Sequence, residues 1–330
     1  MPANLTPQYH KAEAAYRQAQ SPQEELDCLQ LMLREIPKHK GTDKLQADLK
    51  AKIAQVKLES QKPATTAAGR TTKIPKQGAG RVLLLGAANS GKSSLLAALT
   101  RAQPEVADYP FTTQTPLPGM MLFEDCPFQL IDLPAVSPDF LEPSTIGLVR
   151  GADLVLLVVD LANDSLIEDT QAVLARFIDG KTRLGRETGL DESDIGVSYT
   201  QTLMCFNKCD APGADERLET LNEFLSLDFD RLQVSATVGS GLDELRRQVF
   251  ERLQIVRVYA KHPKEKEPDR TKPFAIRRGQ TLVEVAEQVH RDMAASLKSA
   301  RVWGAAVHDG TTVKPDYQPL DGDVVELHAG

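Results

Sequence analysis

A chain of 330 residues with 41% hydrophobic side chains can bury one large core or two smaller ones. No apolar run approaches the roughly 20 residues of a membrane span, the start lacks a basic-then-apolar signal pattern, and four scattered cysteines (Cys28, Cys126, Cys205, Cys209) form no metal-type pairing. A cytoplasmic protein with no membrane partner is expected. The formal charge of −7 is uneven: residues 1–80 carry 13 Lys/Arg against 8 acids, 81–254 carry 14 against 27, and 255–330 carry 12 against 11. The ends are better candidates for polyanion contact than the middle.

Residues 1–60 read as helical. Ser21-Pro22-Gln23-Glu24 is a capping box with proline at the first helical position. Leu26, Leu29, Leu33 and Ile36 follow at helical spacing until Pro37. A second stripe, Leu45, Leu49, Ile53 and Val56, starts after Gly41-Thr42, so a helical hairpin is expected. Two uses of it stay open. It packs on its own chain, or Lys38, His39, Lys40 and Lys44 form a basic tip that touches RNA. Residues 61–80, rich in Ala, Thr, Gly and Lys, read as a flexible linker.

The apolar run Val82-Leu83-Leu84-Leu85 leads into Gly86-Ala87-Ala88-Asn89-Ser90-Gly91-Lys92-Ser93 and then a helix opening with Ser94. Strand, glycine loop and helix in that order make a phosphate-binding loop. Gly86 and Gly91 let the backbone curl so that successive N–H groups face a triphosphate, and the helix adds its positive end. Lys92 is expected to reach the β- and γ-phosphates, and Ser93 to ligate Mg²⁺.

Further along lies Ala107-Asp108-Tyr109-Pro110-Phe111-Thr112-Thr113. A threonine about 20 residues past the loop lysine can close on Mg²⁺ and the γ-phosphate. Thr113 is favoured, with Thr112 as its neighbour. The strand Phe128-Gln129-Leu130-Ile131 ends in Asp132-Leu133-Pro134-Ala135, and Asp132 is expected to hold Mg²⁺ through water. A strand at residues 154–160 and a helix around 168–177 follow, then a polar stretch, 179–198, whose composition fits either disorder or a partner site.

The strand Thr202-Leu203-Met204-Cys205-Phe206 delivers Asn207-Lys208-Cys209-Asp210, a base reader. The Asp210 carboxylate can accept from guanine N1–H and N2–H₂, a donor pair that adenine lacks. Asn207 supports the loop and the N7 edge, and the Lys208 stem covers the base. Leu232-Gln233-Val234 then leads to Ser235-Ala236-Thr237, whose Ala236 N–H can meet guanine O6. The expected nucleotide is GTP or GDP.

With those motifs in hand, residues 81–254 resemble a translation-factor-class P-loop GTPase domain of the Obg-like group. Ile36-Pro37-Lys38-His39-Lys40-Gly41-Thr42 and the switch Asp132-Leu133-Pro134 are similar to the developmentally regulated GTP-binding protein branch. Residues 255–330 resemble a TGS domain, a ubiquitin-like β-grasp module. The matching pieces are Val258-Tyr259-Ala260-Lys261, Arg278-Gly279-Gln280-Thr281-Leu282, Ala300-Arg301-Val302-Trp303-Gly304 and Leu320-Asp321-Gly322-Asp323-Val324-Val325. Without the resemblance that tail still reads as α+β, with a turn at Gly279, an amphipathic helix at 283–293 and a closing strand through Val324, Glu326 and His328. The expected class is α/β: a mostly parallel sheet flanked by helices at 81–254, behind the helical region 1–60 and linker 61–80, and ahead of the α+β domain at 255–330.

The resemblance implies a ribosome- or RNA-associated GTPase that uses the N-terminal helices and the TGS domain as contact surfaces. Asn89 stands where related potassium-stimulated GTPases hold K⁺ against the phosphates; its other reading is loop shaping. Two departures from the family pattern stand out. Ala135 replaces the glycine that lets a backbone N–H flip onto the γ-phosphate, and Val136 stands where some GTPases carry a water-orienting glutamine. Slow turnover, dependent on K⁺ or an activating partner, is expected. The alternative is a GTP-binding assembly or sensing protein with negligible hydrolysis. The stretch between Asp160 and Cys205 is too short and polar for the inserted domain of larger members.

Overall fold

Strand β1 (Arg81–Leu85) is buried along its whole length, as a central strand of a two-faced parallel sheet must be. The structure is a computed structural model that describes residues 5–19, 22–37, 42–60, 74–100, 115–137, 141–191, 194, 197–225, 227–262, 265 and 267–330. Ahead of β1 lie three helices, α1 (Pro7–Gln18), α2 (Pro22–Glu35) and α3 (Asp43–Ser60), where the sequence reading expected two. The extra one, α1, escapes periodicity because its inward side chains, Tyr9, Ala12 and Tyr16, are two phenols and a methyl. Thr6 caps it, accepting the Tyr9 N–H at 3.1 Å, with Pro7 in the first turn. The helices bury Leu29, Met32, Ile36, Leu49, Ile53 and Val56 against one another, each large side chain contributing about 2 kcal/mol.

These helices also pack on the rest of the chain. Arg17 of α1 donates to the carbonyls of Arg150 at 3.0 Å and Tyr199 at 3.2 Å. Lys38, His39 and Lys40 lie outside the described residues, as does Ser21 of the capping box, and Lys44 is exposed.

After β1 come α4 (Lys92–Leu99), β2 (Leu117–Phe123), β3 (Cys126–Asp132), α5 (Pro143–Arg150), β4 (Leu154–Asp160), α6 (Leu166–Asp179), β5 (Thr182–Gly185), β6 (Gly189–Leu190), β7 (Ser198–Asn207), α7 (Ala214–Phe224), β8 (Asp230–Gln233) and α8 (Leu242–Arg252). The sheet runs β2-β3-β1-β4-β7-β5, with β8 and β6 also on β7, and only β2 and β6 are antiparallel to their neighbours. Alternate residues of β1 and β4 feed two cores. Leu83, Leu85, Val155, Leu157 and Val159 face the α5–α6–α7 side, while Val82, Leu84, Leu154, Leu156 and Val158 face α4 and α8. All the loops at the carboxyl ends of β1, β3, β4 and β7 therefore meet on one edge, where open α/β sheets bind ligands.

The expected linker needs correcting. Part of the expected linker is ordered: Gly78 bridges to Phe128, Gln129 Nε2 donates to Pro75 O at 2.9 Å, and Arg81 donates to Ile74 O at 2.6 Å. Small polar residues lack an apolar signature, yet their backbone groups dock on β3 and its neighbours. In the polar stretch 179–198, whose composition fits either disorder or a partner site, the described residues hold β5 and β6, both paired with the first half of β7. Ladder hydrogen bonds there come from the backbone, so composition conceals them.

The C-terminal sheet contains β9 (Ile255–Ala260), β10 (Phe274–Arg277), β11 (Leu297–Gly304), β12 (Val307–Val313) and β13 (Val324–Ala329), in the order β10-β9-β13-β11-β12. Helix α9 (Leu282–Val289) starts with a capping box: Thr281 Oγ1 accepts the Val283 N–H at 3.3 Å, and Glu284 accepts the Thr281 N–H at 2.8 Å. The expected single helix at 283–293 is broken. His290 is extended, at φ −167°, and its ring caps α10 (Arg291–Ser296) by accepting the Asp292 N–H. This unit buries Val256, Val258, Ile276, Leu282, Val285, Ala300, Val302 and Val325.

The two sheets are joined through the β2–β3 hairpin. Arg257 of β9 grips Asp321 twice (3.0 and 2.8 Å) and reaches Asp125 at 3.2 Å and Glu124. Its guanidinium lies 5.2 Å from the Phe250 ring centre, and Tyr259 donates to Asp125 at 2.5 Å. Asp153, just ahead of β4, takes Lys76 (2.6 Å), the Arg81 N–H (2.7 Å) and Arg277 of β10. Among the described residues, no helix is long and apolar enough to cross a membrane.

Candidate nucleotide-binding site

The turn between β1 and α4 is shaped by two glycines. Gly91 has φ 88°, and a Cβ there would collide with the Asn207 amide; a Cβ on Gly86 would collide with the Val158 carbonyl. Asn89 is also left-handed, at φ 58°, a conformation asparagine tolerates better than most residues. Its side chain is exposed, as is suited to either of its two readings. Ser90 Oγ donates back to Ala87 O at 3.0 Å and closes the loop, while Ala88 and Ser94 are half-buried beside it.

Lys92 is 6% exposed, and its Nζ donates to Gly86 O at 3.2 Å and Ala87 O at 2.7 Å. Burial pushes its ammonium down to about 8, against the opposing pull of the Asp132 carboxylate. A desolvated cation at a helix N-terminus, beside a glycine-bearing turn, is chemically suited to phosphate oxygens. Ser93 Oγ donates to Asp132 Oδ2 at 2.5 Å, and Asp132 is fully buried at the end of β3. A hydroxyl and a carboxylate oxygen converging from two elements are hard oxygen donors, a set that fits Mg²⁺.

The two residues after the apolar run of β7, Asn207 and Lys208, grip the loop between β1 and α4. Asn207 Nδ2 donates to Ser90 O at 3.0 Å, and Asn207 Oδ1 accepts the Ala236 N–H at 3.2 Å. That N–H was expected to meet guanine O6, so the base would have to share or exchange the Asn207 contact. Lys208, left-handed at φ 60°, donates to Asn89 O at 3.0 Å and to Asp160 Oδ2 at 2.6 Å. Asp210 stands exposed at the lip, Ser235 is buried, and Thr237 is exposed. Thr112 and Thr113 lie outside the described residues.

Asp160 is the residue that the sequence reading named only as the end of a strand. The available signal was its place: an acid closing a fully apolar strand, as Asp132 closes β3. Ala135 is half-buried, and Val136 is 4% exposed within the core, its N–H donating to Gly86 O at 3.2 Å. Its side chain thus turns away from the loop edge.

Residues 81–185 match the family model described as a 50S ribosome-binding GTPase, and residues 256–329 match the TGS domain. The chain is 29% identical to an uncharacterized GTP-binding protein of Methanocaldococcus jannaschii, over 92% of this chain and 92% of that protein. It is 26% identical to GTP-binding protein 1 of Schizosaccharomyces pombe, over 92% and 98%. Developmentally-regulated G-protein 1 of Arabidopsis thaliana is 28% identical over 88% and 87%. The alignment with the archaeal protein spans 366 positions, more than the 330 residues here, so that protein carries segments without a counterpart in this chain. A P-loop GTPase domain is thus joined to a C-terminal TGS domain, and the chain is similar over most of its length to GTP-binding proteins of the developmentally regulated type.

Proposed function

We propose that the protein is a cytoplasmic, Mg²⁺-dependent and K⁺-stimulated GTPase that hydrolyses GTP to GDP and phosphate slowly, as a switch at the ribosome or on RNA. The observation that carries this reading is the 2.5 Å contact between Ser93 Oγ and Asp132 Oδ2, next to the buried Lys92. Ser93 and Asp132 would hold Mg²⁺, which supplies charge neutralisation at the β- and γ-phosphates. Lys92 would exchange two loop carbonyls for phosphate oxygens, and Asn207, Lys208 and Asp210 would select guanine. Thr113 would join the site when GTP is bound, and Asn89 would help hold K⁺ where charge develops. The N-terminal helices and the TGS domain are the surfaces for the ribosome or RNA, and an activating protein is the other expected partner.

Val136 supports a second reading. A buried valine after Ala135 leaves that position unable to orient water, which favours a GTP-binding assembly or sensing protein with negligible hydrolysis. Single-turnover hydrolysis with Mg²⁺, in K⁺ against Na⁺, for wild type and Asn89→Ala, separates the two. Turnover that K⁺ accelerates and Asn89→Ala loses supports the switch. Tight GTP binding without turnover in either salt, with or without ribosomes, supports the sensor.

A further inference from the structure

The geometry points to Asp160 as a positioning residue for guanine-nucleotide binding: its carboxylate holds the Lys208 side chain against the phosphate loop, in the place from which it covers the base. The inference rests on the reading that Lys208 covers guanine.

Asp160 is itself well anchored. It pairs with Asn207 in the β4–β7 ladder, and the next residue, Leu161, donates its N–H to Asn207 O at 3.0 Å. Its Oδ1 accepts the Ala162 N–H at 2.8 Å, which aims Oδ2 at Lys208 Nζ, 2.6 Å away. The Asp160 side chain is 12% exposed and that of Lys208 36%. Solvent therefore screens this pair only partly. Among the described residues, Asp160 is the one carboxylate within ion-pair distance of Lys208.

Lys208 needs such an anchor. Its four-carbon stem loses rotamer freedom when fixed, and its backbone sits in the left-handed region, which non-glycine residues occupy only where their surroundings insist. The other acceptor of its ammonium is a single carbonyl, Asn89 O, at 3.0 Å. With Asn207 donating to Ser90 O, the base reader thus holds two successive carbonyls of the phosphate loop. Asp160 supplies the charge that keeps one of those two contacts closed. Its removal frees the stem over the base and opens the contact with Asn89 O, while the Asn89 side chain, Lys92, Ser93 and Asp132 stay in place.

The test uses the full chain loaded with a fluorescent GDP, with release followed after chase by unlabelled GDP in Mg²⁺. Lys208→Met, Asp160→Ala, Asp160→Asn and the double variant are compared, each checked for an unchanged thermal unfolding profile. Asp160→Ala is expected to release GDP about tenfold faster, matching Lys208→Met, with the double variant no faster than either. Asp160→Asn, which keeps an acceptor but no charge, falls between, and it serves if the alanine variant fails to fold. KM for GTP rises with Asp160→Ala while the saturating single-turnover rate stays within about twofold, which a general loss of stability would not produce. Fast release from Lys208→Met with wild-type release from both Asp160 variants overturns the inference and leaves the base reading standing. Multiplied effects in the double variant also overturn it. Wild-type release from Lys208→Met removes the base reading and this inference together.

Discussion

Lys92 and Arg257 each organise a region of this molecule, under opposite conditions. Lys92 is sealed into the phosphate loop with two carbonyls for company, and burial disfavours its charge. Arg257, at the seam between the two sheets, is saturated: Asp321, Glu124 and Asp125 surround it, and Phe250 lies beneath. Burial would lower the Arg257 pKa, yet hydrogen bonds to Asp321 outweigh burial and raise it. The loop cation rests on carbonyls, with the Asp132 carboxylate acting on it only from nearby, whereas the cation at the seam is ringed by carboxylates. The first region should answer to nucleotide and pH, the second to salt.

The largest effect should come from crowding the loop itself. Gly91→Ala adds a methyl against the Asn207 amide at a left-handed φ, about 3 kcal/mol of strain and overpacking. Binding of fluorescent GDP should weaken roughly a hundredfold by titration, with the seam unaffected. Undiminished binding would mean that the loop bends more freely than its contacts with Asn207 suggest.

Next comes pH. Lys92 titrates at about 8 in the fold, below its ordinary value, so its buried charge costs stability below pH 8, and that cost is relieved as pH rises from there to the ordinary lysine range. A bound triphosphate favours the charged form. GTP binding above pH 8 should therefore take up one proton and weaken by up to about tenfold per pH unit. Calorimetry in buffers of different ionisation enthalpy measures both, and pH-independent affinity from 7.5 to 9.5 would refute the argument.

Arg257→Ala tests the other side. It leaves Asp125 and Asp321 facing each other without their shared cation, and should cost about 2 kcal/mol, between the values for exposed and buried pairs. Wild type should lose part of that difference in thermal unfolding between 0.1 and 1 M NaCl, while the variant responds little. Acid should weaken the seam too. Burial raises the Asp321 carboxyl but Arg257 outweighs it and lowers the net value, so the contribution is present above the ordinary carboxylate range and is lost as pH falls through the lowered one. The smallest change, Thr281→Ala, removes the cap of α9 and should cost about 1 kcal/mol, seen as a small fall in the unfolding midpoint with nucleotide affinity unchanged.

Much of the fold was legible because its signals are local. The apolar runs at β1, β4 and β7 have to be buried strands, and the glycines around the phosphate loop mark a turn that side chains would block. What went unread lacks such signals. Helix α1 docks through Tyr9 and Ala12 rather than a leucine stripe. β5 and β6 join the sheet through ladders with β7, and the carbonyls of Ile74 and Pro75 dock by accepting from Arg81 and Gln129. The break at His290 depends on an imidazole capping the next helix, a choice that helical periodicity does not encode.

By itself the sequence determined that a buried strand, a glycine loop and a helix follow one another at residues 81–99, because that order depends on local spacing and conformation. Only the tertiary structure decided which distant residues touch that loop. Asp160 meets Lys208, 48 residues away, and Asn207 meets Ser90, 117 residues away, because parallel β1, β4 and β7 end on one edge. Arg257 meets Asp125, 132 residues away, because the second sheet docks on the β2–β3 hairpin. Contacts of that range follow from strand order and domain docking, which no short stretch of sequence carries.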